Sequence, residues 1–186
     1  ANPCAAANPC GPCGACGPCG GAPAPELTAA EASAAFDCVQ ADLAAAYAKS
    51  GLPAASAYQG WKRYTTAPYL SETHGMRYVN NYANAKAQDY GLYEEGGPMP
   101  VGAIAAKESF VVSPNGKIGV GPLFLMAKQA AGSSPDTGDW YYTMILPNGA
   151  VQDAANIQKF CNDCHTIAGE DDDNLMFLPD EYRVSP

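Results

Sequence analysis

The sequence predicts an α+β fold: a mainly antiparallel β-sheet with an N-terminal helix and a C-terminal helical segment. Three observations predict it. Apolar residues recur at helical spacing between Thr28 and Lys49. Four β-rich runs, two of them joined by hairpin chemistry, lie between Gly75 and Pro147. A short helical pattern then runs from Asp153 to Cys161.

Thr28 and Glu31 form a capping box, and Gly51 followed by Pro53 ends the first helix. Phe36, Val39, Leu43 and Tyr47 fall on one stripe, with Cys38 well off it, facing either solvent or the N-terminal tail. Trp61 to Tyr69 is irregular and aromatic. The run "GMRYVNNYA" (Gly75–Ala83) predicts a strand leading into a short helix near Ala83–Tyr90. Val101–Val112 predicts a second strand, "SPNGK" a turn around Asn-Gly, and Ile118–Lys128 the returning strand of a hairpin. Gly138–Pro147 is a further strong strand, closed by Asn148-Gly149. Alternation in the second strand places Ala103, Ala105 and Lys107 on one face and Ile104, Ala106 and Glu108 on the other.

The chain divides in two. Residues 1–25 are a low-complexity Cys/Pro/Gly-rich arm that has no means of building its own core. Residues 26–186, about 160 in all, suit one compact domain. Net charge is −9, from 19 acidic and 10 basic residues. With no Lys/Arg cluster, that balance argues against nucleic acid and for a redox partner protein that is basic where it docks. No run reaches the ~20 apolar residues of a membrane span. Eight cysteines and a start at Ala1 predict an exported, periplasmic or extracellular protein whose signal peptide is already removed.

The chemistry concentrates at "FCNDCHTIA", Phe160 to Ala168. Cys161-x-x-Cys164-His165 is the spacing of c-type haem attachment: two sulfurs bond the vinyl groups, and the adjacent His165 reaches the iron from the proximal side. The competing reading is a disulfide or half of a zinc site. Zinc needs two further ligands, and His74 is the one other histidine. The motif thus predicts one covalent haem c on the C-terminal helical segment. The sixth position stays open, between His74 and Met76, Met99, Met126, Met144 or Met176. Core packing is the plainer reading of Met126 and Met144, and a hydrogen-bonded structural role that of His74. A substrate that loses protons also needs an acceptor. Glu94, Glu95, Glu108 and Asp139 are available, but surface solvation is the expectation for each, and no catalytic residue is assigned.

Four segments together resemble the cytochrome P460 family, which includes the beta-type cytochromes c-prime. They are "HGMRYVNNYA" (His74–Ala83), "MPVGAIAAKESF" (Met99–Phe110), "GDWYY" (Gly138–Tyr142), and "CNDCH" followed by "DDDNLMF" (Asp171–Phe177). The resemblance runs from about Trp61 to Phe177 and leaves residues 1–25 without a counterpart. It implies a homodimeric, mainly antiparallel sheet protein with a five-coordinate haem on His165 and an open distal face. It further implies that Lys107 takes the place of the lysine that, in the P460 branch, is cross-linked to the porphyrin edge. That branch oxidises hydroxylamine, with nitric oxide chemistry at the iron; the c-prime branch binds small gases. From its strand alone, Lys107 equally suits a solvated edge.

Cys4, Cys10, Cys13, Cys16, Cys19 and Cys38 remain. Disulfides rank first for them, and soft-metal binding second. The arm therefore supports a function of another class: an electron-transfer or structural subunit whose N-terminal arm links protomers into a homo-oligomer or filament.

Overall fold

A computed structural model describes residues 26–185. The arm of residues 1–25, with Cys4, Cys10, Cys13, Cys16 and Cys19, lies outside them.

The predicted first helix is α1 (Ala29–Ala48). Thr28 Oγ1 accepts from the Glu31 backbone, and the Glu31 carboxylate accepts from the Thr28 N–H, closing the capping box. The whole predicted stripe is buried, and Cys38, beside it, is half-buried. A short α2 (Pro53–Ala57) follows. The strands are β1 (Lys62–Arg63), β2 (Tyr69–Ser71), β3 (Arg77–Ala83), β4 (Ile104–Val112), β5 (Ile118–Val120), β6 (Leu123–Lys128), β7 (Trp140–Ile145) and β8 (Val151–Gln152). They form one antiparallel sheet in the order β1-β3-β4-β6-β7-β8, with β2 added to β3 and β5 to β4. The α+β expectation holds.

Three elements depart from expectation. The returning strand Ile118–Lys128 is broken at Gly121-Pro122. Pro122 has no N–H for the ladder, and a Cβ on Gly121 would lie 2.4 Å from Ser109 Oγ, so only glycine passes there. The predicted helix after β3 is a 3-10 segment, Ala85–Glu95, started by Asn84, whose side chain accepts from Ala87 N–H. Finally, α3 (Ala155–His165) does not stop at Cys161 but continues through His165.

The sheet separates two cores. On one face, α1 packs Phe36, Val39, Leu43 and Tyr47 against Tyr78, Phe110 and Leu123. On the other, Val79, Met126, Trp140, Tyr142 and Leu175 form a second cluster against which Cys161 packs. Pleat alternation thus gives each strand one side for the helix and one side for the site.

Candidate functional site

The continued helix decides the geometry of the cysteine motif. Cys161, Cys164 and His165 stand at i, i+3 and i+4, which puts all three on one helix face. That face borders a cavity against the sheet, lined by Cys161, Cys164 and His165.

The sheet wall is built by register. Asn81 on β3 stands opposite Lys107 on β4, Lys107 opposite Phe124 on β6, and Phe124 opposite Met144 on β7. The next row toward α3 is Ala105, Met126 and Tyr142. Cross-strand partners share a face, so both rows front the cavity. Lys107 is therefore not on a solvated edge: it is half-buried in the wall, and burial pulls its ammonium down to about 8. Ala105 beside it leaves space over the sheet, as the alternation of the strand predicts.

His165 is oriented by a second loop. Its Nδ1 lies 3.1 Å from the carbonyl of Asn174. A carbonyl only accepts, so Nδ1 carries the hydrogen and Nε2 is left bare as a ligand nitrogen. Burial, then the charge of Lys107, lower its pKa to about 4, which keeps the ring neutral. The ring packs on Tyr142 at 5.3 Å. The Tyr142 hydroxyl is buried and has no hydrogen-bond partner among the described residues.

The loop holding Asn174 is anchored in turn. Asp173 pairs with Lys128, accepts from the Met99 N–H at 2.9 Å, and receives Trp140 Nε1–H on its carbonyl at 2.7 Å. Asp173 and Asn174 both adopt positive φ, 51° and 57°. The "GDWYY" and "DDDNLMF" segments thus meet directly beneath His165.

These residues fit the haem that the motif predicts. Two free thiols stand one turn apart. A neutral imidazole has one nitrogen committed and one free. Phe124, Met126 and Leu175 supply apolar walls for a macrocycle, and an orphaned phenol awaits a partner from whatever fills the space.

The other predicted residues sort cleanly. His74 lines the same cavity, as do Met126, Met144 and Met176, while Met99 is packed in the core and Met76 is exposed. None of the four acids does. Glu94 is taken by Arg183 at 2.6 and 2.7 Å, and Asp139 accepts from the Gly132 and Ser134 N–H groups. Glu108 contradicts the solvated expectation: it is fully buried on the α1 side, accepting from Tyr58, Tyr82 and Asn80. Alternation put it opposite Lys107 but gave no sign that α2 and its tyrosine cover that face. Sequence reasoning also passed over Tyr142 and Arg77, both in the cavity wall.

Among the described residues, no helix is long and apolar enough to cross a membrane. No curated protein matches the chain. The family model described as cytochrome P460, whose proteins carry haem c, matches residues 55–176, which is more than half of the sequence and takes in Lys107, Trp140 and the Cys161–His165 motif. With that match spanning every element that builds the cavity, the chain belongs to the cytochrome P460 family.

Proposed function

We propose that this chain is an exported protein with one covalent haem, attached through Cys161 and Cys164 and held by His165, that performs redox chemistry on hydroxylamine or nitric oxide. The observation that carries the reading is the single helix face presenting both thiols and His165 to one cavity, with His165 Nδ1 already committed to Asn174. Bound there, haem supplies one-electron exchange and a site for small nitrogenous ligands.

The chain's own residues supply the rest. The Asn174 carbonyl fixes the tautomer and angle of His165 and makes Nε2 a stronger donor. Phe124, Met126 and Leu175 exclude water from the cavity. Lys107, which burial lowers to a pKa of about 8, stands in the wall and takes the place of the family's cross-linking lysine. The net charge of −9 suits a redox partner with a basic docking face. Homo-oligomerisation, with the arm cysteines and Cys38 engaged in disulfides, completes the reading.

Intact mass and the ferrous optical spectrum test it together. The expected result is the mass of the chain plus one haem, lost in a Cys161→Ala/Cys164→Ala double variant. The expected Soret band is strongly red-shifted from that of ordinary c-type haem, and Lys107→Arg returns it to the ordinary position. A sharp low-spin c-type spectrum in the unaltered protein overturns the open-site reading and favours electron transfer without turnover.

A further inference from the structure

A site that oxidises a protic substrate must dispose of protons, and its wall limits which groups can take them. Among the described residues, no carboxylate lines the cavity. The titratable side chains that do are Arg77, Lys107, Tyr90, Tyr142, Cys161, Cys164, His165 and His74, and burial raises both phenols, which stay protonated near neutrality and take up no proton. Arg77 has no accessible proton to exchange near neutrality. Cys161, Cys164 and His165 belong to the haem attachment, and Lys107 to its edge. His74 is left.

Its surroundings are built for transfer rather than for a static contact. Its ring packs edge-on against Phe124, with centroids 4.9 Å apart, which seats it at the middle of the sheet wall. Its Nδ1 lies 3.0 Å from Ser71 Oγ and 3.2 Å from Thr73 Oγ1, and the two hydroxyls are 3.4 Å from each other. A hydroxyl donates or accepts by rotation alone. Ser71 is buried at the end of β2, whereas Thr73 is exposed. A line of exchangeable protons therefore runs from the cavity, through the imidazole, to solvent. The basic groups that share the cavity wall with His74 are the cations Lys107 on β4 and Arg77 on β3 and the neutral His165 on α3, and among the described residues no acid lines it.

We infer that His74, with Ser71 and Thr73, is the proton exit of this cavity. The inference rests on the haem reading above and deepens it. The step is a tautomer exchange. A proton leaving a small bound acid passes to His74 Nε2. The proton on Nδ1 passes to the hydroxyl of Thr73, directly or by way of Ser71. Thr73 releases one proton to water. One proton enters, one leaves, and the ring is neutral before and after, so the neighbouring cation Lys107 never faces an imidazolium.

Cyanide and carbon monoxide separate this role from a structural one. Hydrogen cyanide must lose its proton to bind ferric haem, and carbon monoxide binds ferrous haem without proton transfer. In the haem-bearing protein, His74→Phe is expected to slow cyanide association about 10²-fold, the lower end of general-base effects. Carbon monoxide association should stay within a factor of about three, since no proton moves in that step. Ser71→Ala/Thr73→Val, which keeps the imidazole, is expected to slow cyanide less and to weaken the pH dependence of its rate. The surface position of Thr73 keeps this second variant informative should His74→Phe fail to fold. Equal slowing of both ligands, or unchanged cyanide rates in the Ser71→Ala/Thr73→Val protein, overturns the proton exit while leaving the haem reading intact. A chain that carries no covalent haem overturns both.

Discussion

Glu108→Ala is expected to destabilise the protein by about 3 kcal/mol or more, because it orphans several buried donors at once, each worth roughly 1–3 kcal/mol. Tyr58 Oη donates to the carboxylate at 2.7 Å, Tyr82 Oη at 2.5 Å and Asn80 Nδ2 at 3.1 Å. All are buried beneath α1 and α2, where no solvent replaces the lost acceptor. Glu108→Gln keeps the volume but turns an N–H₂ toward groups that already donate, so an intermediate loss is expected. The same carboxylate also shapes the pH dependence. Burial raises its pKa above the usual 4.5, against the opposing pull of the three donors. Between 4.5 and that raised value the folded chain holds a proton that the unfolded chain has released. Stability from this group is therefore full below the unfolded value and falls as pH rises through the folded one. Chemical denaturation of the haem-bearing protein across that window checks both statements. A Gln variant that keeps the wild-type slope, or an Ala variant within about 1 kcal/mol of wild type, counts against the buried network as a source of stability. Because Glu108 lies on the face of β4 away from the cavity, the haem spectrum should not change.

What was legible in the sequence was local. The capping box and apolar stripe of α1, the alternation of β4 and the Asn-Gly turn each depend on neighbours a few residues apart, and each appears as expected. That Cys161, Cys164 and His165 stand together was legible for the same reason, since the three fall within five residues of one helix. What escaped depends on distant partners. Alternation put Glu108 opposite Lys107, yet the partner that buries it, Tyr58, lies 50 residues away. Gly121 breaks the hairpin strand because Ser109, on the neighbouring strand, occupies the space its side chain would need. Met144 read as a core residue until the register of β4, β6 and β7 set it in one row with Phe124 and Lys107. His74 read as a lone histidine at a strand entrance, which it is, but the ring of Phe124 and the hydroxyls of Ser71 and Thr73 give that position a direction. The family resemblance anticipated Lys107 at the cavity; the register supplies the physical reason.

Lys128→Met is expected to be as damaging as the loss of Glu108, and to be felt at His165, the proposed haem ligand, as well. Lys128 and Asp173 form a buried ion pair, with side-chain exposures of 12% and 8%. Lys128 Nζ also donates to the Gly138 carbonyl at 2.8 Å and lies 5.0 Å from the centroid of the Trp140 ring. Removing one partner of such a pair leaves an uncompensated buried charge, typically about 3–5 kcal/mol. Asp173 precedes Asn174, whose carbonyl holds His165 Nδ1, and both residues sit at positive φ, where a non-glycine backbone depends on its surroundings. Losing Lys128 should therefore loosen the hydrogen bond that sets the basicity of His165, and the ferric spectrum should shift along with the loss of stability. A mutation that merely damaged core packing at β6 would lower stability without moving the spectrum in proportion. The double variant Lys128→Met/Asp173→Leu separates the pair from the packing. With both charges gone, it should be more stable than either single variant, because neither is then left buried alone. Its spectrum should nonetheless remain shifted, since the Asp173 side chain that receives the Met99 N–H has also been removed. Strict additivity of the two single losses would mean that the ion pair contributes nothing beyond its separate side chains, and that the Asn174 loop is held by the Trp140 contact to the Asp173 carbonyl instead.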